Sequence, residues 1–452
     1  MRRAIGHGML VDCGTGAGLP HRRTMPQGQV SRTRPPVEPL GTATRRAAIR
    51  LLDAVLRRGE PLESALANAT RALPGGPDRG LAHAIAAETL RRLPDLDALI
   101  DGATRQRLPD DAKARFALRI ALVQALALGT PQHAAIATVL PLVDGGPRKL
   151  VHGVFGTLMR QGATLPAVPT LPADVAARWA EAWGAEVVEG AARAFAAPPP
   201  LDLTLADPAA SLPEGLDGVS LMPGHLRLGE HGPVDTLPGF AEGAWWVQDL
   251  AASLPARMMA EVRGSVIDVC AAPGGKSLQL AAMGLAVTAL DVSKTRLERF
   301  RQNLARTGLK AEVVCGDALT WAPPAAVDGV LLDAPCSATG IFRRHPDVLH
   351  RVRPGVIAEM ADLQTRLIAR AADWVKPGGT LIYATCSLER AEGEEQVERF
   401  LAARGDYHLA PSGPLPEGIA PTPEGWVRTL PGMLADAGGC DGFFIARLVR
   451  DS

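Results

Sequence analysis

Two cysteines end short apolar runs, and each is followed by a serine. Val330-Leu331-Leu332 leads into Asp333-Ala334-Pro335-Cys336-Ser337-Ala338-Thr339-Gly340, and Leu381-Ile382-Tyr383-Ala384 leads into Thr385-Cys386-Ser387-Leu388. Runs of this length bounded by turn residues read as buried strands, so both thiols fall at carboxyl ends of strands, the edge where open α/β sheets bind ligands. A thiol is a soft nucleophile, partly ionised near neutral pH because its free pKa is about 8.5. Beside a methyl donor, such a pair suits carbon 5 of cytosine. That carbon is a poor nucleophile until another nucleophile adds to carbon 6 and makes the ring enamine-like. Asp333, protonated or hydrogen-bonded, would then hold the ring-nitrogen edge, and a base must finally remove the carbon-5 proton. Methylation of an exocyclic amine needs no thiolate and goes with Asn/Asp-Pro-Pro-aromatic at this strand end, a pattern that Asp333-Ala334-Pro335-Cys336 does not follow. A lone cysteine packs well in a core, and Cys270 and Cys315 are read that way; Cys13 and Cys440 carry no argument. Nothing in the residues alone says which of Cys336 and Cys386 attacks.

The methyl donor has its own signal. The apolar run Val266-Ile267-Asp268-Val269 breaks at Cys270-Ala271-Ala272-Pro273-Gly274-Gly275-Lys276, and a helical pattern of Leu278, Leu280, Ala281 and Met283 follows. Strand, glycine loop and helix in this order form a cradle for a nucleotide-like ligand, with Gly274 and Gly275 allowing close backbone approach and the free amides of the helix facing the ligand. The next strand, 286–290, ends in Asp291, where an acid can take both ribose hydroxyls. A third strand, 311–314, leads into Gly316-Asp317-Ala318, which places Asp317 to accept from an adenine amino group. The loop lacks the third glycine that would admit a pyrophosphate. S-adenosylmethionine, with a ribose and an adenine but no phosphate, fits it better than a dinucleotide.

These motifs need a sheet to carry them. Strands near 266, 286, 311, 328 and 379 alternate with helices near 277, 294, 356 and 392, which predicts a parallel, doubly wound sheet. Trp426-Val427-Arg428 and residues 443–448 read as a closing pair, with Asp441-Gly442 turning into the last, so that 246–450 forms a seven-stranded Rossmann-like α/β domain. Residues 163–245 read as a small α/β connecting subdomain with strand-like runs at 201–205 and 219–222, in which Trp179 and Trp183 pack. Gln248 and Asp249 either close the cofactor site or cap an interface helix. Between 41 and 162, apolar stripes at helical spacing (61–73, 78–93, 95–107, 110–128, 131–143 and 147–161, after a first helix from Thr42) predict an all-helical bundle. Residues 1–40 carry many arginines without periodicity and read as a disordered basic extension or as sequence upstream of the true start, with Met25 as the alternative start.

The chain has 452 residues, 47% of them hydrophobic and only 4% aromatic, so its cores must be aliphatic. Its 48 basic residues balance its 48 acidic ones, so the totals give no support for a nucleic-acid partner and any such surface must come from uneven distribution. The six cysteines lack zinc spacing, which argues against a metal and for a reducing cytoplasm. No apolar run approaches the ~20 residues of a membrane span.

Several stretches resemble known families. Arg45-Arg46-Ala47-Ala48, Pro131-Gln132-His133-Ala134-Ala135-Ile136 and Arg148-Lys149-Leu150-Val151 resemble the NusB family of helical RNA-binding domains, with His152 standing where asparagine is expected. The loop 270–276, Asp333-Ala334-Pro335-Cys336-Ser337-Ala338-Thr339-Gly340 with Arg343-Arg344-His345-Pro346-Asp347 after it, and Thr385-Cys386-Ser387 resemble the RNA 5-methylcytosine methyltransferases. Together, from about 41 to 450, the chain is similar to the bacterial Sun/RsmB family, which acts on 16S ribosomal RNA. The resemblance implies Cys386 as the nucleophile on carbon 6, Cys336 assisting product release, and Lys276, Asp291, Asp317 and Asp333 contacting methionine, ribose, adenine and base. It further implies an RNA partner, with no membrane and no metal, and a cytoplasmic monomer is expected. Arg343, Arg344 and His345 are candidates for RNA phosphates, against a solvated basic turn. Two competing readings keep other substrates or roles open: a transfer-RNA 5-methylcytosine methyltransferase, and a non-catalytic RNA-binding scaffold with a methyltransferase fold.

Overall fold

Aliphatic residues three and four apart build the N-terminal third into seven helices: α1 (Thr42–Arg58), α2 (Leu62–Ala69), α3 (Gly76–Arg91), α4 (Leu93–Gly102), α5 (Lys113–Leu126), α6 (Gln132–Val139) and α7 (Gly145–Arg160). The computed structural model describes residues 38–452; the expected basic extension and alternative start lie almost entirely outside them, as does Cys13. α5 is buried on nearly every side and forms the axis of the bundle, its Leu118 and Leu122 sharing one core with Leu51, Leu52, Ile85, Leu96 and Val151. Its two central arginines do not reach water. Arg115, fully buried, makes paired bonds to Asp101 (2.6 and 3.0 Å), and Arg119 makes the same fork to Asp97 (2.7 and 2.8 Å).

The connecting region is α/β as expected, in two parts. A helix pair, α8 (Ala173–Trp183) and α9 (Ala185–Phe195), turns Trp179 and Phe195 onto Phe342, with ring centroids 5.4 and 5.7 Å apart. A three-stranded antiparallel sheet follows, in the order β2-β1-β3, from β1 (Leu201–Leu205), β2 (His225–Leu228) and β3 (Trp245–Val247). The run 219–222 is not a strand. It makes one bridge, Val219 to Arg227, because the Pro223-Gly224 turn brings the chain back so that 225–228 pairs with β1 instead. There Arg227, on the register partner of Asp202, forks onto its carboxylate at 2.7 Å on both arms.

Beyond α10 (Leu250–Arg257) the predicted alternation appears: β4 (Ser265–Val269), α11 (Gly275–Ala282), β5 (Ala286–Asp291), α12 (Lys294–Thr307), β6 (Glu312–Cys315), β7 (Val327–Asp333), the short α13 (Val348–Arg351), α14 (Pro354–Ala372), β8 (Val375–Thr385), α15 (Glu394–Ala403), β9 (Tyr407–Leu409), β10 (Val427–Thr429) and β11 (Phe443–Arg450). The sheet runs β10-β11-β8-β7-β4-β5-β6, parallel from β8 to β6, with β11 antiparallel between β8 and β10. These are the seven expected strands; the eighth, β9, is three residues long and adds to the far end of β11. Successive side chains point to opposite faces. Ile267, Val330, Leu332 and Tyr383 meet α14 and α15 on one side, while Val266, Leu331 and Ile382 meet Leu254, Met259 and Leu280 on the other.

The bundle is fastened to the segment that follows Cys336. The Leu62 N–H donates to Asp347 (3.3 Å), Arg91 donates to the Arg343 carbonyl (3.2 Å), and His350 Nε2 meets the Leu90 carbonyl (2.7 Å).

Candidate active site

β7 and β8 are parallel neighbours with Asp333 opposite Ala384, so the loops leaving them run side by side. Two backbone bonds keep them together past the strand ends, Ala334 N–H to the Ala384 carbonyl and Gly340 N–H to the Cys386 carbonyl, both 2.9 Å. The two cysteines are thereby 50 residues apart in sequence and 3.5 Å apart at sulfur. Hydrogen bonding to Cys386, then burial, pushes the Cys336 thiol well above its ordinary pKa.

Both thiols open into a cavity of about 430 Å³, also lined by Cys270, Ala272, Asp291, Asp317 and Asp333, a size that suits a small-molecule ligand. Asp291 is buried and crosses the glycine loop: its carboxylate accepts from the Ala272 N–H (3.1 Å) and the Ser293 N–H (2.8 Å), and from Arg296 at 3.0 and 3.2 Å. Asp317 is exposed at the far wall and accepts from the Leu319 N–H. Burial pushes Cys270 up to about 12, which keeps it an inert thiol. The rest of the loop divides. Ala271, Pro273, Gly275 and Lys276 line an adjoining cavity of about 350 Å³ that shares Ala272 and Asp333 with the first. Gly274 does a different job from the one expected of it: at φ 105° with the Phe300 ring where a Cβ would stand, it is required by packing rather than by ligand approach.

Lys276 and Asp333 join the two cavities. The ammonium lies 2.7 Å from the carboxylate and 5.3 Å from the centre of the Phe443 ring. Burial works to lower the Lys276 pKa, but the charge and hydrogen bond of Asp333 outweigh it and the net shift is upward, so Lys276 stays charged. Beneath the loop, Asp268 accepts from the Ser277 hydroxyl and is pushed up to about 7 by burial.

One expectation is corrected. Arg343 is buried, and Arg344 keeps only part of its surface in solvent. Arg343 reaches Asp249 (3.2 Å), Asp441 (3.1 Å) and the Gly438 carbonyl (2.9 Å), and Arg344 reaches Asp249 (3.0 Å) and the Pro200 carbonyl (3.2 Å). His345 is partly buried, and its desolvation lowers its pKa. The Arg-Arg pair is therefore an internal tie, not a phosphate clamp, because its acids arrive from other elements. Asp249 caps α10 by accepting from the Ala251 N–H, the second of its two expected roles, while Gln248 faces the cavity beside Lys276 and bonds to Gln279 at 2.7 Å.

Sequence reading missed the group behind the cysteines. Glu392 is fully buried and accepts from the Ser337 N–H (2.8 Å), the Ser337 and Ser387 hydroxyls, and Gln364 (3.3 Å). Next to it, Arg428 forks onto Glu394 (2.9 and 2.6 Å) and donates to the Ser387 carbonyl at 2.6 Å. The repeated Cys-Ser was the one signal that could have pointed there. No group of three or more His, Cys, Asp or Glu side chains among the described residues is placed to hold a metal ion, and no helix among them is long and apolar enough to cross a membrane.

Comparison with known proteins matches both the bundle and the sheet domain. Residues 42–156 match the NusB family and residues 258–449 match the model described as 16S rRNA methyltransferase RsmB/F. The chain is 36% identical over 442 residues to ribosomal RNA small subunit methyltransferase B of Xanthomonas campestris, covering 91% of this chain and 98% of that one. It is 33% identical over 442 residues to the protein of the same name from Klebsiella pneumoniae, covering 90% and 98%. Among solved structures, the crystal structure of PH0851 superposes with a TM-score of 0.70 at 25% identity, covering 90% of this chain and 98% of that one. With a NusB-type bundle in front of a methyltransferase sheet and relatives matched almost end to end, the chain belongs to the 16S rRNA methyltransferase RsmB/F family.

Proposed function

We propose that this protein transfers a methyl group from S-adenosylmethionine to carbon 5 of a cytosine in 16S ribosomal RNA, through a covalent bond between Cys386 and carbon 6. The single observation that carries the reading is the pair of sulfurs 3.5 Å apart on a cavity that also holds Asp291, Asp317 and Asp333. The residues fit the cofactor, since both acids and the start of the loop line one cavity: Asp291 would hold the ribose hydroxyls, Asp317 the adenine amino group, and the loop 270–276 the methionine end. When bound, the cofactor supplies an electrophilic methyl on a sulfonium. Asp333, paired with Lys276, presents an acceptor to the cytosine amino group while the ammonium offers a donor to the ring edge. Cys386 adds to carbon 6 as thiolate, carbon 5 takes the methyl group, and a base removes the carbon-5 proton as the carbon–sulfur bond breaks and the thiolate leaves. Cys336, whose thiol pKa Cys386 and burial push upward, assists that release. A target base within a helix must first be flipped out. The bundle at 42–160 supplies RNA affinity, and the protein acts as a cytoplasmic monomer.

The test separates the two cysteines. Cys386→Ala should lose methylation and form no RNA adduct on a denaturing gel. Cys336→Ala should accumulate an adduct that needs S-adenosylmethionine and survives denaturation. The reverse pattern would exchange the two roles, and an adduct with neither variant would remove the covalent mechanism.

A further inference from the structure

Behind the two thiols lies a buried carboxylate that the reaction does not touch. Glu392 ends the turn Arg390–Glu392 between β8 and α15, and no part of it reaches solvent. An ionised carboxylate offers about four acceptor positions, and here four donors meet it. Oε1 takes the Ser337 N–H and the Gln364 amide; Oε2 takes the hydroxyls of Ser337 and Ser387. Its own carbonyl accepts from Tyr383 (2.8 Å) and Thr385 (3.3 Å) on β8, which anchors the turn beneath the sheet edge. The two serines are the residues immediately after the two cysteines. They lie 3.2 Å from each other, and Thr339 and the Glu389 N–H close the same knot on Ser387.

From this geometry we infer that Glu392 is the positioning residue that sets the approach of Cys336 to Cys386, by drawing Ser337 and Ser387 onto one oxygen. The inference rests on the two-cysteine mechanism for its consequence in catalysis, but not for the geometry itself. Without the carboxylate, two buried hydroxyls and a buried N–H lose their shared acceptor, and each loop must find other partners. The loops then separate or slide, and the close approach of the two sulfurs is lost. The charge of Glu392 also adds to what holds Cys336 as a thiol, after Cys386 and burial.

Glu392→Gln tests this with little change of volume. A structural defect alone would lower the amount of folded enzyme, whereas a positioning defect lowers kcat and leaves both KM values alone. We expect kcat to fall by about thirtyfold, the worth of a hydrogen bond to a charged group, with KM for RNA and for S-adenosylmethionine within about twofold. Phenylarsine oxide reads the geometry directly, because it condenses with two adjacent thiols, forming two arsenic–sulfur bonds and releasing water. The wild-type chain should capture it, and Glu392→Gln should capture it roughly tenfold more weakly. A cycle with Ser337→Ala/Ser387→Ala closes the argument: in that background the Glu392→Gln change should add less than about threefold to the kcat loss, since residues acting through one network are non-additive. Undiminished arsenical capture by Glu392→Gln, or a full kcat loss persisting in the serine-free background, would overturn the role. If capture falls as expected but Cys386→Ala still methylates RNA, the positioning stands and the covalent mechanism fails.

Discussion

The molecule buries charge in two ways. At the axis of the bundle, Arg115 and Arg119 are sealed in but fork onto Asp101 and Asp97, opposite charges whose outer edges still touch water at 33% and 21% exposure. Behind the cysteines, Glu392 has only neutral donors for hydrogen-bond partners, and burial pushes its pKa up. The first arrangement is a matched ion pair that holds helices together at one charge state. The second keeps a lone charge in place with dipoles, so that whatever disturbs the dipoles is felt by the loops they belong to. A fold that needs only stability can use the former; a site that must hold two movable thiols in register gains from the latter.

Breaking the ion pair should give the largest effect. Arg115→Ala leaves two acids facing an unfilled space, and loss of one partner from a buried pair costs about 3 to 5 kcal/mol. The low end is expected here because Asp97 and Asp101 can rehydrate. Arg115→Met, which fills the volume but leaves the same acids unpaired, should recover only a small part of that loss in urea unfolding; near-complete recovery would mean that packing, not charge, decides the axis.

Asp268 sharpens the contrast, since its one hydrogen-bond partner is also neutral. Burial lifts its pKa to about 7, so the folded state binds the proton more tightly than the unfolded chain does. That contribution is fully present below an unfolded value of about 3.9 and is lost as pH rises through 7. Asp268→Asn cannot lose it, so the variant should gain stability relative to wild type between pH 5 and pH 8, by up to a few kcal/mol. A stability difference that stays flat with pH would show that Asp268 does not titrate in this window.

The smallest effect tests the Arg-Arg turn. Were Arg344 a phosphate contact, replacing it would reduce the salt slope of RNA binding by about 0.7 to 0.9. Tied to Asp249 and Pro200 instead, Arg344→Gln should leave the slope unchanged within error. A slope reduced by a full contact would put the side chain back on the RNA.

What could be read from the residues alone follows the same division. The two cysteine motifs, the glycine loop and the acids at 291 and 317 carry their chemistry in local spacing; the cysteines and both acids meet on one cavity, to which the loop contributes Cys270 and Ala272. The Arg343-Arg344 turn was misread because its acids come from 94 to 98 positions away, where no local pattern can announce them. Glu392 was invisible for a related reason: in a run with Glu394 and Glu395 at a helix start, acids read as a solvated face. Only the tertiary return of Ser337 and Ser387 makes it an interior group. Strand-like runs without a pairing partner, such as 219–222, mislead because a strand is defined by its neighbour.

The place of β11 bears on how the protein matures. Synthesis delivers the bundle first, and the buried residues of its core all lie between 48 and 158. The sheet is different, because β11 inserts between β8 and β10 and its first residue, Phe443, backs the Lys276 ammonium, while neighbouring Asp441 receives Arg343. Domains fold largely in the order they emerge. A nascent chain would therefore display the bundle while the wall of the cavity still lacked the strand next to β8, and competence would arrive only when residues 443–450 had cleared the exit tunnel.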